Sequence, residues 1–366
     1  MNPLKQLQEQ GQAVWLDYIK RDLITSGELG RLIDEDGVQG MTSNPTIFEK
    51  AIAGGNEYDE QIKDTLAKHP NIEVKHLYEI VAIKDIRLAA DALRPVFDST
   101  TGRDGYVSLE VSPHIAHDVD ATTGEAKRLF KEVDRPNILI KVPATKAGTL
   151  AFQELIASGV NVNVTLMFSL VHYEAIAQAY IRGLKRCRHP EKIASVASFF
   201  VSRVDSIVDK ALDANGSPEA LALKGKIAVA NAKVAYARFE ELFYGEPFEH
   251  LKKKGARVQR CLWASTSTKN PEYSDTLYVD ELIGADTVNT LPPATLDDFR
   301  DHGTVAATLG QGIDEARAQI AKLGELGIDF DALTEQLQDE GVKSFAKSYD
   351  DLLHALEDKG GHFNVA

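Results

Sequence analysis

Short apolar, β-branched runs alternate along this chain with amphipathic helical stretches. The runs are AVWLDYI, GVQGMTS, YVSLEVS, NILIKVP, VNVNVTLMF, ASVASFFV, RVQRCLWAS and ADTVNTL, eight in all. Near-continuous apolarity over so few residues marks strands buried on both faces, and the helices between them make βαβ units with parallel strands. Eight such units is the number that closes a ring. The pattern therefore predicts an α/β fold, a (β/α)8 TIM barrel, with an open doubly wound sheet as the second arrangement compatible with the same alternation.

The helical stretches carry start signals. Thr25 followed by Glu28 reads as a capping box ahead of LGRLIDE, and Ser169 as a cap ahead of LVHYEAIAQAYIRGLKR. The segment from about Val201 to Ala256 reads as the longest between strands, with two helices and a Pro/Gly-bearing loop, GEPFEHLKKKG. Beyond the eighth run, helical patterns over 295–301, 306–323 and 330–357 are expected to wrap the barrel. No low-complexity linker or fixed-period repeat divides the chain. Residues 1–366 are thus expected to form one domain, with the barrel core over about 13–292 and C-terminal helices over about 295–359.

Composition narrows the function classes. With 43% hydrophobic and 26% charged residues the chain can bury a large core, which excludes a disordered or collagenous protein. A formal charge of −14 disfavours nucleic acid and anionic membrane as partners, since both need basic surface. Two cysteines, Cys187 and Cys261, lie in no metal-ligand spacing and read as reduced, buried thiols. The N-terminal sequence lacks the apolar core of a secretory signal, so a cytoplasmic protein is expected.

In a parallel barrel, catalytic groups project from the carboxyl ends of the strands, so polar residues late in apolar runs are the candidates. They are Asp17, Asn44, Glu110, Lys141, Asn163 with Thr165, Ser198 with Arg203, and Ser265. Lys141 interrupts NILIKVP. With a period of two, it shares a face with Leu139, while Ile138, Ile140 and Val142 face the helices. A lysine aimed into the barrel mouth is desolvated, which favours the neutral amine that attacks a carbonyl. A lysine that ends a strand and snorkels to solvent fits the same position.

Asp17 and Glu110 supply two carboxylates for acid and base work, or else cap helices or pair with cations. Asn44 either caps the helix that Pro45 starts or faces a ligand. Arg203, Ser265 and Lys269, the last two in the hydroxyl-rich ASTSTKNPEYS, fit a phosphate site at the barrel rim or an exposed capping loop. No GxGxxG, Walker loop, HExxH or GxSxG occurs, which leaves nucleotide, zinc-protease and hydrolase readings unsupported.

At these residues the chain resembles the transaldolases. TSNPTIF and ILIKVPAT resemble the family's two signature segments, and SLEVSP, NVTLMFS and ASFFVSRVD fall in its order, across roughly Val14 to Thr290. The resemblance implies a Schiff-base lysine at Lys141, with Glu110 and Thr165 handling a catalytic water and Asp17 as base for the donor's hydroxyl. It assigns substrate hydroxyls to Asn44 and Asn163, a donor contact to Ser198, an aromatic lining to Phe200 and the phosphate to Arg203 and Ser265. The better-known members carry a second arginine just after the serine equivalent to Ser265; this chain has none, and Lys269 is the candidate substitute.

The implied substrates are sugar phosphates: sedoheptulose 7-phosphate and fructose 6-phosphate as donors of a dihydroxyacetone unit, glyceraldehyde 3-phosphate and erythrose 4-phosphate as acceptors. No metal and no cofactor is implied, and the chain is expected as a monomer or homodimer. A related fructose 6-phosphate aldolase, which releases free dihydroxyacetone, tends to have glutamine where this chain has Glu110 and tyrosine where it has Phe200. A non-catalytic sugar-phosphate-binding barrel keeps the pocket without needing both carboxylates. A glycosidase built on Asp17 and Glu110 leaves Lys141 unexplained.

Overall fold

All eight apolar runs become strands. In the computed structural model, which describes residues 2–364, they are β1 (Gln12–Asp17), β2 (Val38–Thr42), β3 (Tyr106–Glu110), β4 (Ile138–Pro143), β5 (Val162–Met167), β6 (Ser195–Phe200), β7 (Arg260–Ala264) and β8 (Thr287–Leu291). Every neighbouring pair is parallel and β1 pairs with β8, so the sheet closes as the barrel the alternation predicts. The strands are buried almost throughout, because helices cover the outside and side chains fill the inside.

Register decides which side chains meet. Glu110 on β3 lies opposite Lys141 on β4, and Lys141 lies opposite Asn163 on β5. These positions project inward near the carboxyl ends. Asp17 on β1 is level with Thr42 on β2. The registers of β1 against β2 and of β5 against β6 each slip once, the second between Val164 and Met167. That second slip falls beside Leu166, whose φ of 61° is the left-handed conformation that L side chains adopt only at a cost.

The connections differ from the sequence pattern in several places. The longest segment between strands is residues 43–105, between β2 and β3, rather than the one after β6. It holds the helices Pro45–Ala53, Asp59–Lys68, Val74–Ala92 and Arg94–Ser99. The segment after β6 carries Ser202–Asn215, Pro218–Leu221 and Ile227–Phe243, and the stretch read as a loop is itself the helix Glu246–Lys253, with Pro247 in its first turn. Proline in the first turn initiates a helix because its missing N–H has no partner to lose there.

Thr25 does not cap the helix Glu28–Asp36. Its hydroxyl donates back to the Arg21 carbonyl, and Gly27, left-handed at φ 90°, stands at the cap position while Glu28 pairs with Arg31. Ser169 does cap Leu170–Arg186, accepting from the His172 amide at 3.2 Å. After β8 the helices are Pro293–His302, Ile313–Glu325 and Phe330–Asn364. The second starts later than the pattern suggests because Gly310 and Gly312 interrupt it. Cys261 is buried and Cys187 only partly so; both are free.

Candidate active site at the carboxyl end of the barrel

Lys141 is 5% exposed and points into the barrel mouth. Its Nζ donates to the Ser43 carbonyl at 2.9 Å and lies 3.5 Å from Glu110 Oε2. The alternation of β4 gives the reason: Leu139 and Lys141 face inward while Ile138, Ile140 and Val142 pack outward. Glu110 Oε2 is buried with no hydrogen-bond partner among the described residues, and so is Thr165 Oγ1. Unpartnered buried acceptors and donors are costly, and they concentrate where function requires them.

Above the lysine opens a cavity of ≈ 140 Å³. Nine of the sequence-derived candidates line it, namely Asp17, Asn44, Lys141, Thr165, Ser198, Phe200, Arg203, Ser265 and Lys269. The other two lie behind it. Glu110 sits on the far side of the lysine, and Asn163 lies beneath the cavity with its amide fully engaged. Asn163 Nδ2 donates to Ser108 Oγ at 3.1 Å, and its Oδ1 accepts from Ser198 Oγ at 2.6 Å. Asn163 thus does not line the cavity, and Ser198 stands between the two.

Asp17 accepts from Thr42 Oγ1 at 2.7 Å, and Thr42 in turn meets Thr290 Oγ1 at 2.6 Å. Burial pushes the Asp17 and Glu110 carboxyls above the ordinary carboxylate range; the nearby Lys141 ammonium opposes the effect in both. The pocket thus holds a primary amine between two carboxyls biased toward the protonated form. Asn44 plays both parts open to it: its Oδ1 caps the helix Pro45–Ala53, accepting from the Ile47 amide at 3.0 Å, while the residue also borders the cavity.

The opposite wall is cationic. Arg203 lies with its guanidinium carbon 5.5 Å from the Phe200 ring centroid, and no carboxylate comes within ion-pair distance of it among the described residues. Lys269 Nζ donates to Ser267 Oγ at 2.6 Å. Burial lowers the affinity of both groups for their proton, and for Lys269 the neighbouring Arg203 charge adds to it. Ser265, at φ 56°, is strained into place beside Ser202, with their hydroxyls 3.0 Å apart. Two cations, a cluster of hydroxyls and the start of the helix Ser202–Asn215 together supply the positive charge and donors that an anion requires.

Sequence reasoning missed Thr42, Ser267, Thr290 and Phe345, all of which line the cavity. Phe345 comes from the helix Phe330–Asn364, which crosses the mouth. Thr42 and Thr290 sit late in their strands and satisfied the rule that found Asp17, but hydroxyls in strands carry a weaker signal than charges.

Comparison with known proteins agrees with this geometry. A family model described as Transaldolase/Fructose-6-phosphate aldolase matches residues 14–356, extending through the C-terminal helices. Transaldolase 2 of Streptomyces avermitilis is 48% identical over 359 residues, spanning 97% of this chain and 96% of that protein. The transaldolase of Thiobacillus denitrificans is 48% identical over 96% of this chain and 99% of its own length. That of Thermobifida fusca is 48% identical over 96% of each.

Proposed function

This chain belongs to the transaldolase/fructose-6-phosphate aldolase family, and from that premise we propose that its barrel mouth transfers a dihydroxyacetone unit between sugar phosphates through an imine on Lys141. The activity is that of a transferase, with sedoheptulose 7-phosphate or fructose 6-phosphate as donor and glyceraldehyde 3-phosphate or erythrose 4-phosphate as acceptor, in the non-oxidative pentose phosphate pathway. The observation that carries it is the buried Lys141 amine, set between two carboxyls on one side and an unpaired cationic wall on the other.

The steps follow from the groups present. Lys141 Nζ adds to the donor's carbonyl carbon, and loss of water leaves a protonated imine. Glu110 and Thr165, whose buried oxygens lack partners, serve the proton transfers and hold that water. Asp17 removes the proton of the hydroxyl on the carbon beyond the bond to be broken. As that bond breaks, its electron pair moves into the imine and the shortened aldose leaves. The resulting enamine carbon attacks the acceptor's aldehyde, whose oxygen takes back the proton held by Asp17, and water then adds to the re-formed imine to release the new ketose and the free lysine. The protonated imine is the electron sink, the part that a metal or organic cofactor plays elsewhere.

Arg203, Ser265, Ser267 and Lys269 hold the phosphate, with Lys269 in place of a second arginine. Asn44 and Ser198 meet substrate hydroxyls, and Asn163 orients Ser198 from below. Phe200 lines the cavity under Arg203 and with Phe168, 5.2 Å away between centroids, keeps water from the enamine. Glu110 and Phe200 stand where the aldolase branch tends to have glutamine and tyrosine, which favours transfer over release of free dihydroxyacetone. Among the described residues no helix is long and apolar enough to cross a membrane, and a cytoplasmic enzyme, monomeric or dimeric, completes the reading.

Borohydride reduction in the presence of fructose 6-phosphate, followed by peptide mapping, tests this. A stable adduct on Lys141, lost in Lys141→Ala, is the expected result. No adduct under turnover conditions overturns the imine mechanism. Added erythrose 4-phosphate separates transfer from release, since a transferase forms sedoheptulose 7-phosphate and a lyase frees dihydroxyacetone.

A further inference from the structure

The opposite mouth of the barrel holds a larger cavity, ≈ 450 Å³ against the ≈ 140 Å³ of the active site. Its wall includes Tyr106, Ser195 and Arg260, each the first residue of its strand, which places it at the amino ends of β3, β6 and β7. It reaches inward to Leu139, fully buried and two residues before Lys141 on the same face of β4. The floor of this cavity is therefore the layer directly beneath the catalytic lysine.

Charge around it runs against the rest of the molecule. Arg103, Lys252, Arg257 and Arg260 border the cavity in a chain whose formal charge is −14. Two of them are neutralised: Arg103 pairs with Asp286 at 2.6 Å and Arg260 with Asp104 at 2.8 Å. The other two have no carboxylate partner among the described residues. Arg257 donates to backbone, Nη2 to the Thr101 carbonyl at 2.9 Å and Nη1 to that of Gly102, and it lies beside the Tyr106 hydroxyl. Lys252 is exposed, and among the described residues no hydrogen bond or ion pair engages its side chain.

The turn that anchors Arg257 is strained. Thr101 and Gly102 both take left-handed conformations, φ 54° and 73°. A Cβ on Gly102 would come within 3.1 Å of Arg257 Nη1 and 3.2 Å of the Phe97 ring. Strain of this kind persists where the surroundings hold a group in one place, and here the group is a guanidinium with donors to spare at a cavity mouth. Between the cations the wall is apolar and aromatic, from Leu139, Val196, Val258, Tyr106 and Tyr244.

We infer that this cavity is a second ligand site, for a small phosphomonoester with an apolar or aromatic body. Arg257 and Lys252 take the phosphate, Arg257 through its planar fork and Lys252 as a mobile point charge. The apolar wall takes the body of the ligand. Occupancy fills the space under Leu139, one step of β4 below Lys141.

Phenyl phosphate is a suitable probe because it has no carbonyl to form an imine. Calorimetric titration is run on an Arg203→Ala/Lys269→Ala background, which removes the active-site anion pocket, and again after adding Lys252→Glu or Arg257→Gln. One saturable site per chain is expected in the background, weakened about tenfold by Lys252→Glu and further by Arg257→Gln, as loss of a charge-assisted contact requires. On the otherwise wild-type chain, the same two substitutions leave kcat within about twofold, since neither residue touches the reacting atoms. Lys252 is exposed, so its substitution reads binding even where Arg257→Gln lowers the Tm. Absence of a site in the background, or a site whose affinity Lys252→Glu leaves unchanged, overturns the inference.

Discussion

The side-chain amide of Gln338 donates to the Leu166 carbonyl at 3.0 Å and, from the same nitrogen, to the Ala144 carbonyl at 3.1 Å. The helix Phe330–Asn364 is thereby tied to the ends of β4 and β5, next to Thr165. Gly341, one turn further on, lets the helix come closer still; a Cβ there would lie 2.8 Å from Leu166 Cδ2. Gln338→Ala leaves buried carbonyls without a donor, at a cost of about 1–3 kcal/mol. Urea denaturation is expected to show that loss. Steady-state kinetics is expected to show a fall in kcat of several-fold, because Thr165 and Phe345 both depend on the seating of this helix.

In the proposed mechanism the two carboxyls divide the chemistry, and isosteric amides separate their roles. Asp17→Asn is expected to lower turnover by roughly 10²–10⁴ while still forming the imine, since the lost base acts only at carbon–carbon cleavage. Borohydride then traps the intact ketose on Lys141. Glu110→Gln slows imine formation itself, so rapid-quench trapping finds adduct accumulating more slowly than in the wild type. Equal trapping rates in both variants would refute this division.

The proposed phosphate site rests on Arg203 and Lys269. Arg203→Ala is expected to raise KM for fructose 6-phosphate by roughly tenfold to a hundredfold, the range of a lost charge-assisted hydrogen bond. Lys269→Ala has a smaller effect in the same direction. Neither changes the rate with unphosphorylated fructose, which is the control that separates loss of a phosphate contact from damage to the lysine.

Asp205, buried in the helix Ser202–Asn215 and outside the cavity lining, gives a pH dependence of stability. Burial raises its pKa to about 6, although its carboxylate accepts from the Ala228 amide at 2.7 Å and from Tyr278 Oη at 2.8 Å. The folded state therefore holds this proton more tightly than the unfolded chain, whose value is 3.8. Its contribution is fully present below about pH 4 and is lost as the pH rises through about 6, a loss of roughly 2–3 kcal/mol. Asp205→Asn removes that slope. Measured between pH 4 and 7, the variant's unfolding free energy should gain on the wild type as pH rises.

Most of this molecule was legible because a parallel barrel writes itself plainly. Strands covered on both faces read as apolar runs, and a charge such as Lys141 inside one has few places to go but the mouth. Asp17 and Glu110, each the last residue of its strand, answer to the same rule, while Arg203 lies beyond β6 in the helix Ser202–Asn215. What escaped depends on contacts between distant parts of the chain. Phe345 lies on an amphipathic helix, and periodicity shows that a face is buried without showing that it lies over the mouth. The amide of Asn163 reads identically whether it meets a sugar or, as here, Ser108 and Ser198. The cap at Thr25 failed because Gly27 took the left-handed cap position.

The pairing of β1 with β8 has a kinetic consequence. It joins Trp15 to Thr290, so the ring shuts only when segments nearly the whole barrel apart have met, the slow kind of contact in folding. The hydroxyl chain from Asp17 through Thr42 to Thr290 crosses that seam, and Gln12 clasps it from beneath through Thr287 Oγ1 at 3.0 Å. Closure of the ring and completion of the hydrogen-bonded setting of Asp17, the proposed base, are accordingly one event. During refolding, helical signal should return first and catalysis last, with the reappearance of turnover timing the moment the seam zips.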